Sequence, residues 1–283
     1  MTRVRTFGIR RSRSKASVEI RRSKDIELRP LQPNAGTTAM YQKKLEKLID
    51  EMNASVMYWI ETRYRNNEPV LLAMDDLPVN ELKRTIKELA KRWLKNFEEA
   101  APKLADWFAQ DVMQRTDASL RAILRQGGFS VRFKMTRAMR ENFNATRAQN
   151  VALIKSIPEQ YLKNVEGAVM RSVQAGRDMG PLAKELQKNY GVTKKRAALI
   201  ARTQNNLASG SMNKVRQIEL GVTKAKWRHS GAGKEPRPTH VANNGKLYDV
   251  KKGWFDPHEK KWIFPGQLIN CRCVSISVIP GFS

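Results

Sequence analysis

The sequence changes texture at Gly221, and that change limits the fold more than any other feature. Before it, from about residue 39 to 220, apolar side chains recur every three or four positions, the period of a helix with one buried face. After it, apolar residues come in short runs between turn-forming clusters, the pattern of small strands. The chain therefore reads as α+β: a mostly α-helical body followed by a small β-rich C-terminal module. Leu45, Leu48, Ile49, Met52, Val56, Trp59 and Ile60 mark the first helical stripe. The Pro69 region and Asp75–Pro78 interrupt it, and Leu82, Ile86, Leu89, Trp93 and Phe97 mark the second. Pro102 is expected to open a third helix that carries Leu104, Trp107, Phe108 and Val112 and stops at Gly127-Gly128. Further helices are expected near 135–152, 158–176 and 179–190, and a long one over 193–220 with Thr193 as its N-cap and Gly221 past its end. Core packing is the default reading of these stripes, Trp59, Trp93, Trp107 and Met52 included. The expected strands are Lys224–His229, Leu247–Val250, Trp262–Phe264 and Cys273–Ile279 within a module over 222–283.

Residues 1–37 differ from both textures. Ten Lys and Arg stand against Glu19, Asp25 and Glu27, and the segment ends in Pro30, Pro33, Asn34 and Gly36. Too few apolar groups are present to offset the entropy of ordering, so a disordered basic tail is expected, one that orders on a partner or on nucleic acid. Over the whole chain 53 Lys and Arg outnumber 27 Asp and Glu, a formal charge of +26. An excess of this size calls for an acidic partner: nucleic acid, an anionic membrane or an acidic protein. No apolar run is long enough to span a bilayer. The basic N-terminus has no apolar stretch behind it, so a secretory signal is not expected, and two cysteines exclude a disulfide-stapled scaffold.

His229, His240, His258, Cys271 and Cys273 all fall in the C-terminal module. Clustered imidazole and thiol groups invite a zinc reading on His240, Cys271 and Cys273. The Cys-x-Cys spacing is tighter than the usual Cys-x2–4-Cys pair, which favours buried thiols packing in a small core, with no cofactor and no metal. On a strand, residues i and i+2 face the same way but do not give normal disulfide geometry. Arg237 and His240, with His229, could form the cationic stabiliser and acid–base pair of a nuclease. No nucleophile elbow, phosphate loop or carboxylate cluster accompanies them, so no catalytic residue is assigned. The basic residues are spread over the helices without interleaved aromatics or a helix-turn-helix or zinc-finger signature. Any nucleic-acid contact would then be to the backbone, blind to sequence and sensitive to salt.

The run Ile200-Ala-Arg-Thr-Gln-Asn-Asn206 is followed by Gly221-Val, Lys226-Trp227, Pro238-Thr-His240, Asn244-Gly245, Pro265-Gly266 and Asn270-Cys-Arg-Cys273. In this order the pieces resemble the head-morphogenesis domain of tailed-phage minor head proteins, the phage Mu F-protein family, over roughly residues 155–280. Gln204 stands where the family pattern has Glu, and Gly233–Arg237 replaces its usual acidic loop. The resemblance implies a non-enzymatic virion protein of the capsid interior or portal vertex, made in the host cytoplasm during assembly. Its implied partners are the portal protein, the major capsid or scaffolding protein, and packaged double-stranded DNA. The chain would divide into a tail (1–37), a helical region (38–150) and a head-morphogenesis-like domain (151–283), with no toxin domain expected after the closing motif. Arg3, Arg5, Arg10, Arg11, Arg13, Arg21 and Arg22 would supply the electrostatic contacts. Arg202 would anchor the long helix to the β module through its planar donor fork. Thr203, Trp227, His240, Asn270, Cys271, Arg272 and Cys273 would hold the module together.

Overall fold

The computed structural model describes residues 10–11, 25–66, 78–231, 233 and 235–279. Long helices carry most of the chain: α1 (Ala35–Asn66), α2 (Pro78–Gln126), α3 (Arg137–Gln174) and α4 (Met179–Glu219). The rest is short: β1 (Arg10–Arg11), β2 (Ile26–Glu27), β3 (Phe129–Ser130), β4 (Lys224–Arg228), α5 (Pro238–Ala242), β5 (Leu247–Asp249), β6 (Trp254–Asp256), β7 (Lys261–Ile263) and β8 (Val274–Ile279). The α+β reading holds. The chain divides into two compact units that alternate along the sequence. One comprises 1–37, 109–146 and 202–283; the other comprises 38–108 and 147–201.

The helices are fewer and longer than the sequence suggested. Pro102 lies inside α2, Pro158 inside α3, and Gly191 inside α4. An interior proline costs about 3 kcal/mol through one lost hydrogen bond and a ring clash. Each large apolar side chain fully buried contributes about 1.5–3 kcal/mol in return. Phe97, Ala101, Ala105 and Phe108 are fully buried on both sides of Pro102, as Ile154, Ile157, Tyr161 and Leu162 are buried around Pro158. Continuous burial therefore outweighs the local break. Thr193 is not an N-cap: its Oγ1 donates back to the Asn189 carbonyl at 2.8 Å, a bond made inside a running helix. The helix does end where expected. Val222 N–H donates to Gln217 O at 2.9 Å and Gly221 N–H to Ile218 O at 3.0 Å, a Schellman closure with Gly221 at φ +75°. The interruption expected around Pro69 and Asp75 lies outside the described residues.

In the unit 38–108 with 147–201, the α1 stripe is Tyr41, Leu45, Ile49, Met52, Val56 and Ile60, all fully buried. Trp59 falls one position off this stripe and is 37% exposed, so it is not the core residue it was expected to be. Tyr41 stacks on Phe108 with ring centroids 4.3 Å apart, and its hydroxyl donates to Asn150 Oδ1 at 2.8 Å. Tyr161 likewise donates to Asn53 Oδ1 at 2.7 Å.

The other unit is built on an antiparallel sheet in the order β2-β8-β4-β5. Part of the expected tail is structured: β2 pairs with β8, Leu28 and Leu31 are buried in the core, and Glu27 forms an ion pair with Lys226. Asn34 Oδ1 accepts the Thr37 N–H at 3.1 Å and caps α1, which starts earlier than the apolar pattern indicated. In β4, Ala225 and Trp227 face inward and are fully buried. Their partners across the register are Ser277 and Ser275, so the serine row of β8 faces the core. The hydroxyls are satisfied there: Gln217 Nε2 donates to Ser275 Oγ (2.9 Å) and Ser277 Oγ (2.8 Å), and the Tyr248 hydroxyl lies 2.6 Å from Ser275 Oγ. In the same unit, buried Arg216 forms a two-pronged pair with Asp117 (2.8 and 2.7 Å) and also reaches Glu219 Oε2 (2.7 Å) and Lys134 O (2.8 Å). No helix among the described residues is long and apolar enough to cross a membrane.

Candidate functional site

The site is assembled from three short segments held by one face of α4. His240 lies on α5, whose first helical position is Pro238 and whose preceding residue Arg237 is extended at φ −64°, ψ 123°. Proline at that position has its φ already set for the helix and no N–H to leave unpaired. Asp256 ends β6, and Cys271 and Cys273 lie in the irregular segment just before β8, not on the strand as expected. From α4, Asn206 Nδ2 donates to Cys271 O (2.9 Å) and Arg202 Nε donates to Asn270 Oδ1 (3.0 Å). Thr203 Oγ1 accepts the Asn270 N–H at 3.2 Å. Asn270 adopts φ 60°, the left-handed turn that brings both cysteines round to His240. Gly210 admits the loop at close range, since a Cβ there would lie 2.8 Å from Pro265 O.

His240 is 2% exposed, Cys271 4% and Cys273 5%. His240 Nδ1 is 3.5 Å from Cys271 Sγ and 3.6 Å from Cys273 Sγ. Both cysteines are reduced. On the other side of the ring, His240 Nε2 lies 3.3 Å from Asp256 Oδ2, off the line of a proper hydrogen bond. Asp256 is fully buried; its Oδ1 accepts the His258 N–H at 2.9 Å and its Oδ2 the Thr239 hydroxyl at 3.3 Å. Trp227 packs edge-on against the imidazole, centroids 5.1 Å apart, and its indole N–H is buried without a hydrogen-bond partner. The two thiols titrate in opposite directions. A hydrogen bond from Cys273 holds the Cys271 thiol well below its ordinary range, with His240 adding to the effect. Cys273, which gives that bond and is buried, is pushed up, while Trp227 and the Ser230 backbone favour its thiolate. Among the described residues, His240, Cys271 and Cys273 are the group of side chains able to hold a metal, their ligand atoms all within 4.8 Å of one another.

A cavity of about 460 Å³ opens beside this centre, lined in part by His229, Glu235, Arg237 and half-buried Arg272. The structure thus gathers the residues that a nuclease reading would use around one space. Arg237, however, donates to Ile269 O at 3.3 Å from both terminal nitrogens and lies 3.7 Å from Glu259, while His258 is exposed. Of the tail arginines, Arg3, Arg5, Arg13, Arg21 and Arg22 lie outside the described residues, and Arg10 and Arg11 enter only as the backbone of β1, paired with β3. Sequence reasoning missed Asp256, one of many isolated acidic residues; its place after the apolar pair Trp254–Phe255 was the only local signal.

Residues 163–276 match the family described as phage Mu protein F like protein. An uncharacterized protein of Haemophilus influenzae (strain ATCC 51907 / DSM 11121 / KW20 / Rd) is 34% identical over 139 residues. That alignment covers 49% of this chain and 30% of the relative, so the chain spans less than a third of that relative's length. No solved structure matches the chain.

Proposed function

Residues 163–276 are a phage Mu F-like head-morphogenesis domain, and from that premise we propose that the chain is a minor head protein of a tailed phage. In this reading it is architectural, not catalytic. It binds the portal protein and the major capsid or scaffolding protein at the portal vertex, on the interior side of the shell, and touches packaged DNA without regard to sequence. The family match carries the reading. The +26 charge supports it independently, because a protein beside tightly packed DNA works against a dense polyanion. Exposed Arg121, Arg125, Arg132, Arg137 and Arg140 add a cationic surface to the unit that holds the β module.

Co-purification from cells that also make the cognate portal protein tests the assembly role. The chain is expected to elute with the portal ring. Its DNA binding should be indifferent to sequence and, for six to ten phosphate contacts, should weaken by roughly 10³–10⁵ between 50 and 200 mM salt. A chain that runs free of portal overturns the reading, as does nucleic-acid cleavage that His240→Ala abolishes.

A further inference from the structure

We propose that His240 Nδ1, Cys271 Sγ and Cys273 Sγ form a zinc site, with the fourth coordination position open to the neighbouring cavity. The assembly role neither requires nor supplies this site. Three observations carry it. First, the spacing fits. A tetrahedral ion with Zn–S of about 2.3 Å and Zn–N of about 2.05 Å places sulfur and nitrogen roughly 3.6 Å apart. The observed separations are 3.5 and 3.6 Å. Both sulfurs address the same ring nitrogen, as two ligands of one ion do.

Second, the far side of the ring carries the support a metal-bound histidine needs. A ligating imidazole nearly always offers its other N–H to a carboxylate or carbonyl, which fixes the ring and raises its basicity. His240 Nε2 faces Asp256 Oδ2 at 3.3 Å, and Asp256 is itself fully buried and fixed by Thr239 and the His258 N–H. Burying a carboxylate is costly unless it is paired, and a cationic metal–imidazole unit is the partner that this arrangement suits. The pair is off-axis as it stands, and a rotation of the ring onto an ion would correct it.

Third, the Trp227 indole N–H is fully enclosed beside the imidazole and lacks a partner. A Cys-His-Asp hydrolytic relay would use one sulfur and leave the second thiol, equally close to the same nitrogen, without a role. On binding, Zn²⁺ displaces the proton of each thiol that is still protonated, and those protons go to solvent. Soft thiolate ligands select zinc over magnesium or calcium.

The test uses the tag-free full-length chain, reduced and stripped of metal under argon. Zn²⁺ is expected to bind at one equivalent per chain and to raise the unfolding midpoint, while Mg²⁺ does neither. Co²⁺ should give a thiolate-to-metal charge-transfer band and visible d–d bands of four-coordinate intensity. Cys271→Ser and Cys273→Ser should each weaken that band and the double variant should abolish it. Asp256→Asn should lower zinc affinity by roughly 10–100-fold with the fold retained. The cobalt spectrum of the unmodified chain keeps the test decisive if the cysteine variants fail to fold. Absence of stoichiometric zinc in the reduced chain overturns the proposal. So does full zinc retention by the Cys271→Ser/Cys273→Ser variant, or selective alkylation of Cys271 that proceeds unchanged in the presence of zinc.

Discussion

Replacing glycine by alanine within one helix should have opposite effects at two positions of α4. In a helix interior the exchange normally stabilises by roughly 0.5–1 kcal/mol, because glycine loses more backbone freedom on folding. At Gly191 an added Cβ meets nothing within 4 Å, so Gly191→Ala should realise that gain. At Gly210 the added Cβ would lie 2.8 Å from the Pro265 carbonyl oxygen, well inside contact distance. Pro265 opens the loop that leads to Cys271, and that loop is tied to the same helix by Asn206 and Arg202. The methyl must push the loop away, and overpacking of this kind costs about 1–3 kcal/mol. Gly210→Ala should therefore be destabilising by about 1–2 kcal/mol net of its helix gain. Urea unfolding followed by circular dichroism gives the sign of each change. Amide hydrogen exchange over 264–273 locates the second one, where protection should fall only in Gly210→Ala. Equal stabilisation by both substitutions, with exchange over 264–273 unchanged, would refute the close helix–loop approach on which the site geometry rests.

Arg216→Ala should destabilise its unit by about 3–5 kcal/mol, because it strands the Asp117 carboxylate beside a buried space; chemical denaturation of the variant against the parent chain measures this. Gln217→Ala leaves the core-facing hydroxyls of Ser275 and Ser277 without their shared donor and should cost about 1–3 kcal/mol by the same assay. Burial raises the pKa of Tyr41, Tyr161 and Tyr248 above the range of a free phenol. The folded chain thus keeps protons that the unfolded chain releases near pH 10. Stability should be intact below that pH and fall as it is passed, and tyrosinate absorbance from these three residues should emerge only with unfolding. A spectrophotometric titration that shows all six tyrosines ionising near pH 10 in the folded chain would contradict their burial.

The helical content, the switch at Gly221 and the main strands were legible because they depend on local periodicity and on a glycine closure that uses only nearby groups. Helix ends at Pro102, Pro158 and Gly191 were misread because local punctuation was weighed without the burial on both sides of it. The strand β2 could not be read locally, since it is stabilised by β8 some 250 positions later. Its own stretch, Asp25–Leu28, carries as many charges as apolar side chains. At the site, the motif order Arg202-Thr203, Trp227, His240 and Asn270–Cys273 was visible, and these residues do converge in space. The Cys-x-Cys geometry was misjudged because the spacing was read as a strand. The left-handed turn at Asn270 and the irregular segment after it instead aim both thiols at one ring nitrogen. Arg216 carried no sequence signal and Asp256 only its place after the apolar pair Trp254–Phe255, because a paired buried charge is recognised only by its partner.

Quantitative mass spectrometry of purified particles of the phage that encodes this chain tests the architectural reading most directly. The chain is expected in every preparation at a small, fixed ratio to the major capsid protein, and in empty procapsids as well as in filled heads. Particles that assemble and package DNA without it would contradict the account.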